Sequence, residues 1–101
     1  PDLFPGHKLE DDIWFLKAQV FEKRNEWTKA IERYEAVFTT YPEEIRADNA
    51  IFELAQIYDN VLNQEDKAME LYEKLFIDYS GSILAVEARK RFRVLRGDLI
   101  Q

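Results

Sequence analysis

The sequence predicts an all-α protein, a right-handed superhelical array of antiparallel helix pairs that ends in a C-terminal capping helix. The first observation is an internal repeat: Lys29–Tyr41 returns 38 residues later as Lys67–Tyr79, with seven of thirteen positions identical. The second is composition, with only three Gly, three Pro and 34% charged residues, which is typical of helices that keep one solvated face. A repeat period of about 20–50 residues marks an array in which each unit packs on its neighbours.

Apolar spacing and turn signals divide the chain into helices. Acidic residues at Glu10–Asp12 and Glu43–Glu44 are expected in first turns, where the helix dipole favours negative charge. Asn25 is expected to end the first helix in a left-handed conformation, and the last helix should begin at a Ser82 cap and end at Gly97. The predicted helices span about 9–24, 26–40, 44–62, 65–78 and 82–96.

These helices group into one domain over residues 1–101. It comprises a first helix pair at about 9–42, a second at 43–80 and the capping helix at 82–96. Leu3–Pro5 resembles the end of a further repeat, so we expect a fragment of a longer repeat protein. The face formed by Ile13, Leu16 and Val20 should then lack part of its cover, and we expect homo-oligomerisation through it.

The pattern of these residues resembles the tetratricopeptide repeat. The matching positions are Trp14, Ala18, Phe21, Ala30, Tyr34, Val37 and Pro42, then Ile51, Leu54, Ala55, Tyr58, Ala68, Tyr72 and Leu75. The chain departs from the pattern in its period and at Lys17, Val37, Leu75 and Ser80. Tyr79–Ser82 and Glu87–Arg91 are similar to segments of bacterial envelope proteins of this family. That likeness implies a periplasmic or cell-envelope location, with a cytoplasmic one still open.

The resemblance implies a scaffold module that binds a protein or peptide in a concave groove lined by the first helices. The alternative is a structural spacer or self-association element without a groove of its own. The carboxylate clamp of one branch of the family needs Lys and Asn, where this chain has Phe15, Gln19, Phe52 and Gln56. The resemblance therefore predicts binding of a partner segment by some other chemistry.

Two aromatic residues single out the candidate binding surface. Phe15 falls on the polar arc of the first helix, and Phe52 occupies the same step one repeat later. Exposed aromatics anchor many interfaces, although crowding by neighbouring helices would equally account for both rings. If they are anchors, replacing both by Ser should leave stability nearly unchanged. The predicted partner-binding residues are Phe15, Gln19, Glu22, Phe52, Gln56 and Asp59.

Charge and motif content weigh against other functions. The net charge is −6, and an acidic chain disfavours nucleic acid and anionic lipid as partners. No apolar run approaches the roughly 20 residues that span a bilayer. Residues 83–101 are locally basic, and the cluster at Arg89–Arg96 is interpreted as a solvated capping face.

The sequence also lacks the residue patterns of catalysis and metal binding. His7 has ligand spacing with Glu10 and Asp11, but neither a second His nor any Cys supports a metal site. Ser80 and Ser82 have no His beside them to form a nucleophile. We expect no enzyme activity, no cofactor and no metal.

Overall fold

The computed structural model describes residues 6–97, with side chains from residue 10 onward. The described residues form five helices, and consecutive helices pack as antiparallel pairs. The helices are α1 (Gly6–Lys23), α2 (Trp27–Thr40), α3 (Ala47–Gln56, continuing as a π-helical turn at Ile57–Val61), α4 (Glu65–Asp78) and α5 (Leu84–Arg96). The predicted all-helical class and the five predicted segments are confirmed.

Two helix starts, those of α1 and α3, differ from the predicted positions by three residues. α1 begins at Gly6, so that Glu10–Asp12 lie beyond its first turn, which holds no acidic residue. α3 begins at Ala47 instead of 44, because residues 42–46 form turns. The macrodipole therefore does not explain Glu10–Asp12 or Glu43–Glu44, and Asp48 is the acidic residue in the first turn of α3.

The chain forms two compact units, Pro1–Ala50 and Ile51–Gln101, with the boundary inside α3. In the first unit α1 packs on α2. Its core combines small residues with aromatic rings, since Ala18, Ala30, Tyr34 and Val37 are fully buried and Phe15 is 5% exposed. Alanine lets two helix backbones approach closely. The buried residues of α2, which are Ala30, Tyr34 and Val37, lie on the face that the sequence repeat predicts.

In the second unit α4 packs on α5 and on the π-helical turn. Ala68, Tyr72 and Leu75 are the buried residues of α4 and occupy the same repeat positions as Ala30, Tyr34 and Val37 in α2. Ala85 and Ala88 bury one side of α5. The duplicated sequence pattern thus becomes a duplicated packing pattern.

Two helix ends follow the predicted stop signals. Asn25 has φ 61° and Gly97 has φ 94°, both in the left-handed region that ends helices. At Gly97 a side chain would strain this conformation, whereas asparagine tolerates it. The helix α5 begins at Leu84, two residues after the predicted Ser82 cap, and its N-cap residue is Ile83, which makes no side-chain capping bond. The Ser82 hydroxyl still accepts a hydrogen bond from the Leu84 amide at 3.0 Å.

The π-helical turn explains why the first helices repeat every 37 residues and the second helices every 38. Its closing bond runs from the Leu62 amide to the Ile57 carbonyl at 3.0 Å, five residues back. A π turn accommodates one extra residue within a helix, and such turns are frequent at functional positions. In this chain the turn contains Asp59, which is buried.

One face of α1 exposes apolar side chains. Ile13, Leu16 and Val20 are 48, 55 and 47% exposed, at the spacing of a single helix face. The expected companion segment, Leu3–Pro5, lies outside the described residues. Within residues 6–97 no helix is both long and apolar enough to cross a membrane.

Candidate functional site

The two predicted aromatic anchors have different environments. Phe15 is 5% exposed, so it is covered, as the crowding alternative predicts. Phe52 remains partly exposed. Because Phe15 is a buried ring, the expectation that a double Phe-to-Ser change leaves stability nearly unchanged is wrong for its Phe15 half.

In the first unit, Phe15 belongs to a polar and aromatic cluster. Its ring meets Tyr34 edge to face at 5.7 Å between centroids, and the Arg46 guanidinium lies 5.0 Å from its ring centre. Arg46 also donates from Nε to the Asp12 carboxylate at 2.9 Å, which fixes the guanidinium beside the ring. The Tyr34 hydroxyl donates to Glu22 at 2.7 Å. The predicted site residue Glu22 thus accepts a hydrogen bond from within its own unit. The side chain of Gln19, another predicted site residue, is partly exposed.

The second unit repeats the aromatic pair and the tyrosine-to-carboxylate bond. Phe52 meets Tyr72 at 6.1 Å in the same edge-to-face geometry, and the Tyr72 hydroxyl donates to Asp59 at 2.9 Å. In addition, Arg91 of α5 donates two hydrogen bonds to the Asp59 carboxylate, from Nε to Oδ2 at 2.6 Å and from Nη2 to Oδ1 at 2.9 Å. This bidentate pair holds α5 against the end of α3.

The charges in this cluster shift one another's protonation. Hydrogen bonds from Arg91 lower the pKa of the Asp59 carboxyl, and this effect exceeds the opposing effect of burial. Burial first, and then the bond to Asp59, raise the pKa of the Tyr72 hydroxyl above its ordinary range. Asp59 is therefore an ionised acceptor and Tyr72 a neutral donor at neutral pH.

A cavity of about 240 Å³ opens beside this cluster. It brings together three of the six predicted site residues, namely Phe52, Gln56 and Asp59. The complete lining is Phe52, Gln56, Asp59, Asn60, Tyr72, Glu87 and Arg91. The cavity therefore combines an aromatic ring, two side-chain amides and a fixed guanidinium in the second unit.

The tetratricopeptide repeat pattern matches residues 12–44 and 49–82, which together make up most of the chain. The chain belongs to the tetratricopeptide repeat family. A search of curated proteins finds no match. Tetratricopeptide repeats generally serve as protein–protein interaction modules and are typically non-catalytic.

Within the tetratricopeptide repeats of this chain, sequence reasoning missed Tyr72 and Arg91 as parts of the site. Tyr72 was assigned to the packed face of α4, although its hydroxyl reaches the cavity cluster. Arg91 was grouped with the basic cluster of α5. A signal for Tyr72 was the repeat register, which places Glu22 and Tyr34 in the first repeat where Asp59 and Tyr72 stand in the second. Arg91 has no such signal.

Asp11 is the other buried carboxyl of the described structure, at 2% exposed. Burial is the largest cause that raises its pKa, followed by the neighbouring Asp12 carboxylate. A raised carboxyl pKa is also found in general acids. On the separate question of metal binding, no group of three His, Cys, Asp or Glu residues that could hold a metal ion lies in the described part of the chain. The side chain of His7 is outside that part.

Proposed function

We propose that this tetratricopeptide repeat chain binds a segment of a partner protein on its first helices, with the cavity beside Phe52 as the anchor site. The observation that carries the proposal is the shared lining of that cavity by Phe52, Gln56 and Asp59. These are the residues that the repeat register assigns to the binding arc of the second repeat. The proposal therefore places the anchor of the partner segment at one position, the cavity beside Phe52 in the second unit.

The chemistry of the lining determines what fits. The partly exposed Phe52 ring offers an apolar surface, and a volume near 240 Å³ accepts about one large side chain. Gln56 and Asn60 each carry both a donor and an acceptor, which suits the backbone of an extended or helical segment. An apolar anchor residue with polar backbone contacts is the expected ligand unit.

Electrostatics favour basic residues beside that anchor. Asp59 is already neutralised by Arg91, whereas Glu87 is exposed at the rim and makes only a loose pair with Lys90 at 3.7 Å. The chain as a whole has a net charge of −6. A partner segment with an apolar anchor flanked by Lys or Arg would therefore associate faster and with better complementarity than an acidic one.

The first-unit members of the predicted site have a smaller role in this proposal. The Phe15 ring is covered by Arg46 and Tyr34, so it contributes no anchor unless Arg46 moves. Gln19 and Glu22 are partly exposed and remain predicted contacts. We expect the partner to gain most of its affinity at the second unit.

The test compares Phe52→Ser with Ile77→Ser in affinity capture from the source cell, followed by calorimetry with the captured partner's segment. Ile77 is an exposed apolar residue of α4 that does not line the cavity, so it serves as a matched control. We expect Phe52→Ser to weaken binding by roughly 2 kcal/mol or more, while Ile77→Ser binds like the parent chain. Equal binding by all three proteins would overturn the proposal.

A second candidate, self-association, is favoured by the exposed face of Ile13, Leu16 and Val20. A second copy of the chain would cover this stripe and remove apolar surface from water, which favours association. This candidate predicts a concentration-dependent dimer that depends on α1 and is indifferent to Phe52.

A further inference from the structure

A second cavity in the Ile51–Gln101 unit lies between α4 and α5 and has a volume of about 280 Å³. Its lining is Phe76, Arg89, Phe92, Arg93 and Arg96. Three guanidinium groups and two aromatic rings thus surround one space, and the lining contains no carboxylate. This lining differs from that of the cavity beside Phe52, where Arg91 is paired with Asp59.

Aromatic rings hold two of these arginines in place. Phe76 and Phe92 meet edge to face at 5.3 Å. The Arg89 guanidinium lies 4.8 Å from the centre of the Phe76 ring, and that of Arg96 lies 5.1 Å from the Phe92 ring. A guanidinium that rests on a ring uses its flat face and keeps its N–H edge for a planar acceptor. Arg89 is therefore partly preorganised for a carboxylate.

The charge of Arg89 and Arg93 is not balanced by an acidic residue in the described part of the chain. Among residues 6–97, Arg89 and Arg93 form no ion pair with a carboxylate. The helix dipole accounts for Arg93 and Arg96, which lie in the last turn of α5. It does not account for Arg89, which lies nearly two turns earlier, nor for the two rings.

This surface is separate from the cavity beside Phe52. Arg91, which borders that cavity, is two residues from both Arg89 and Arg93, and residues two apart on a helix do not face the same way. The sequence interpretation of Arg89–Arg96 as a plain capping face missed this arrangement, because Phe76 comes from another helix.

We infer that the α4–α5 cavity binds carboxylate side chains of an acidic protein segment, with Arg89 and Arg93 as its main ligands. Phe76 and Phe92 would contact the aliphatic parts of that segment. A protein segment is favoured over a long polyanion because residues 1–82 carry eighteen acidic and nine basic groups. That excess repels nucleic acid and anionic membranes over a distance, whereas a short segment presents only a few charges at the cavity.

The experiment measures fluorescence anisotropy of fluorescein-labelled hexaglutamate with the full chain. The test variant is Arg89→Gln with Arg93→Gln, and the control is Lys23→Gln with Lys90→Gln, which removes the same charge at exposed positions outside the cavity. Loss of the two charge-assisted hydrogen bonds should raise the dissociation constant roughly tenfold. The control should change it by less than about threefold, through screened long-range effects alone.

Oligothymidine and vesicles of phosphatidylcholine with phosphatidylglycerol are tested beside the peptide, and circular dichroism confirms that both variants are folded. The inference is supported if hexaglutamate binds, if added salt weakens that binding, and if the binding depends on the two arginines but not on the two lysines. It is overturned if hexaglutamate fails to bind, if both variants weaken it equally, or if the oligonucleotide or the vesicles bind more tightly through the same arginines. Phe52→Ser should leave hexaglutamate binding intact, which separates this result from the proposed function.

Discussion

Replacing Asp59 by Asn tests the polar cluster that closes the second unit. Asp59 is 7% exposed and receives two bonds from Arg91 and one from Tyr72. Breaking a buried ion pair from one side costs about 3–5 kcal/mol. The Arg91 side chain is 43% exposed and regains water, and the Asn oxygen still accepts from Tyr72. We therefore expect a loss of only about 1–3 kcal/mol in the free energy of unfolding.

The dependence on pH has a defined sign. Because the pKa of Asp59 is lowered from its ordinary 3.8 in the folded state, its stabilising contribution is complete above the unfolded-state value. That contribution is lost as the pH falls through the lower folded-state value. The difference in the free energy of unfolding between the parent chain and Asp59→Asn should therefore shrink as the pH falls below about 4.

The assay is urea unfolding followed by circular dichroism, at about pH 7 and at about pH 2. Asp78→Asn is the control, since Asp78 makes an exposed pair with Lys74 at 3.2 Å and should cost less than about 1 kcal/mol. If Asp59→Asn is as stable as Asp78→Asn at neutral pH, or if its deficit persists unchanged in acid, the ion pair does not hold α5 in place.

Three further predictions follow from which apolar side chains are buried and which are exposed. Phe15→Ser should lower the free energy of unfolding by about 3–5 kcal/mol and Phe52→Ser by clearly less, and equal losses in urea unfolding would contradict the difference in cover between the two rings. Ala30→Leu and Ala68→Leu should each cost about 1–3 kcal/mol through overpacking at fully buried positions, and an unchanged melting curve would argue against close helix contact there. Leu16→Glu should abolish any dimer seen by light scattering, and a dimer that survives this change is formed by another surface.

Local signals in the sequence predicted much of the fold. The repeated Ala and Tyr positions identified the buried side of α2 and α4, since burial there depends on helical spacing alone. Asn25 and Gly97 identified helix ends because few residues adopt a left-handed conformation easily. Helix starts were less accurate, because acidic residues occur outside first turns as well.

The candidate site was only partly predictable, because its environment depends on contacts between distant residues. Asp59 and Arg91 are 32 residues apart, and nothing in the local pattern pairs them. Arg46 covers Phe15 from the turn before α3, whereas Phe52 borders an open cavity. Two rings at equivalent repeat positions thus acquired different exposures from their tertiary neighbours.

Site-specific crosslinking tests most directly the central claim that a partner segment binds beside Phe52. The chain has no cysteine, so Asn60→Cys in the cavity lining and Glu70→Cys on the exposed side of α4 each offer one attachment point for a benzophenone probe. We predict a crosslink to one partner segment from position 60 that is lost when Phe52→Ser is added, and none to that segment from position 70. Crosslinking from position 60 that is unaffected by Phe52→Ser, or equal crosslinking from both positions, would contradict it.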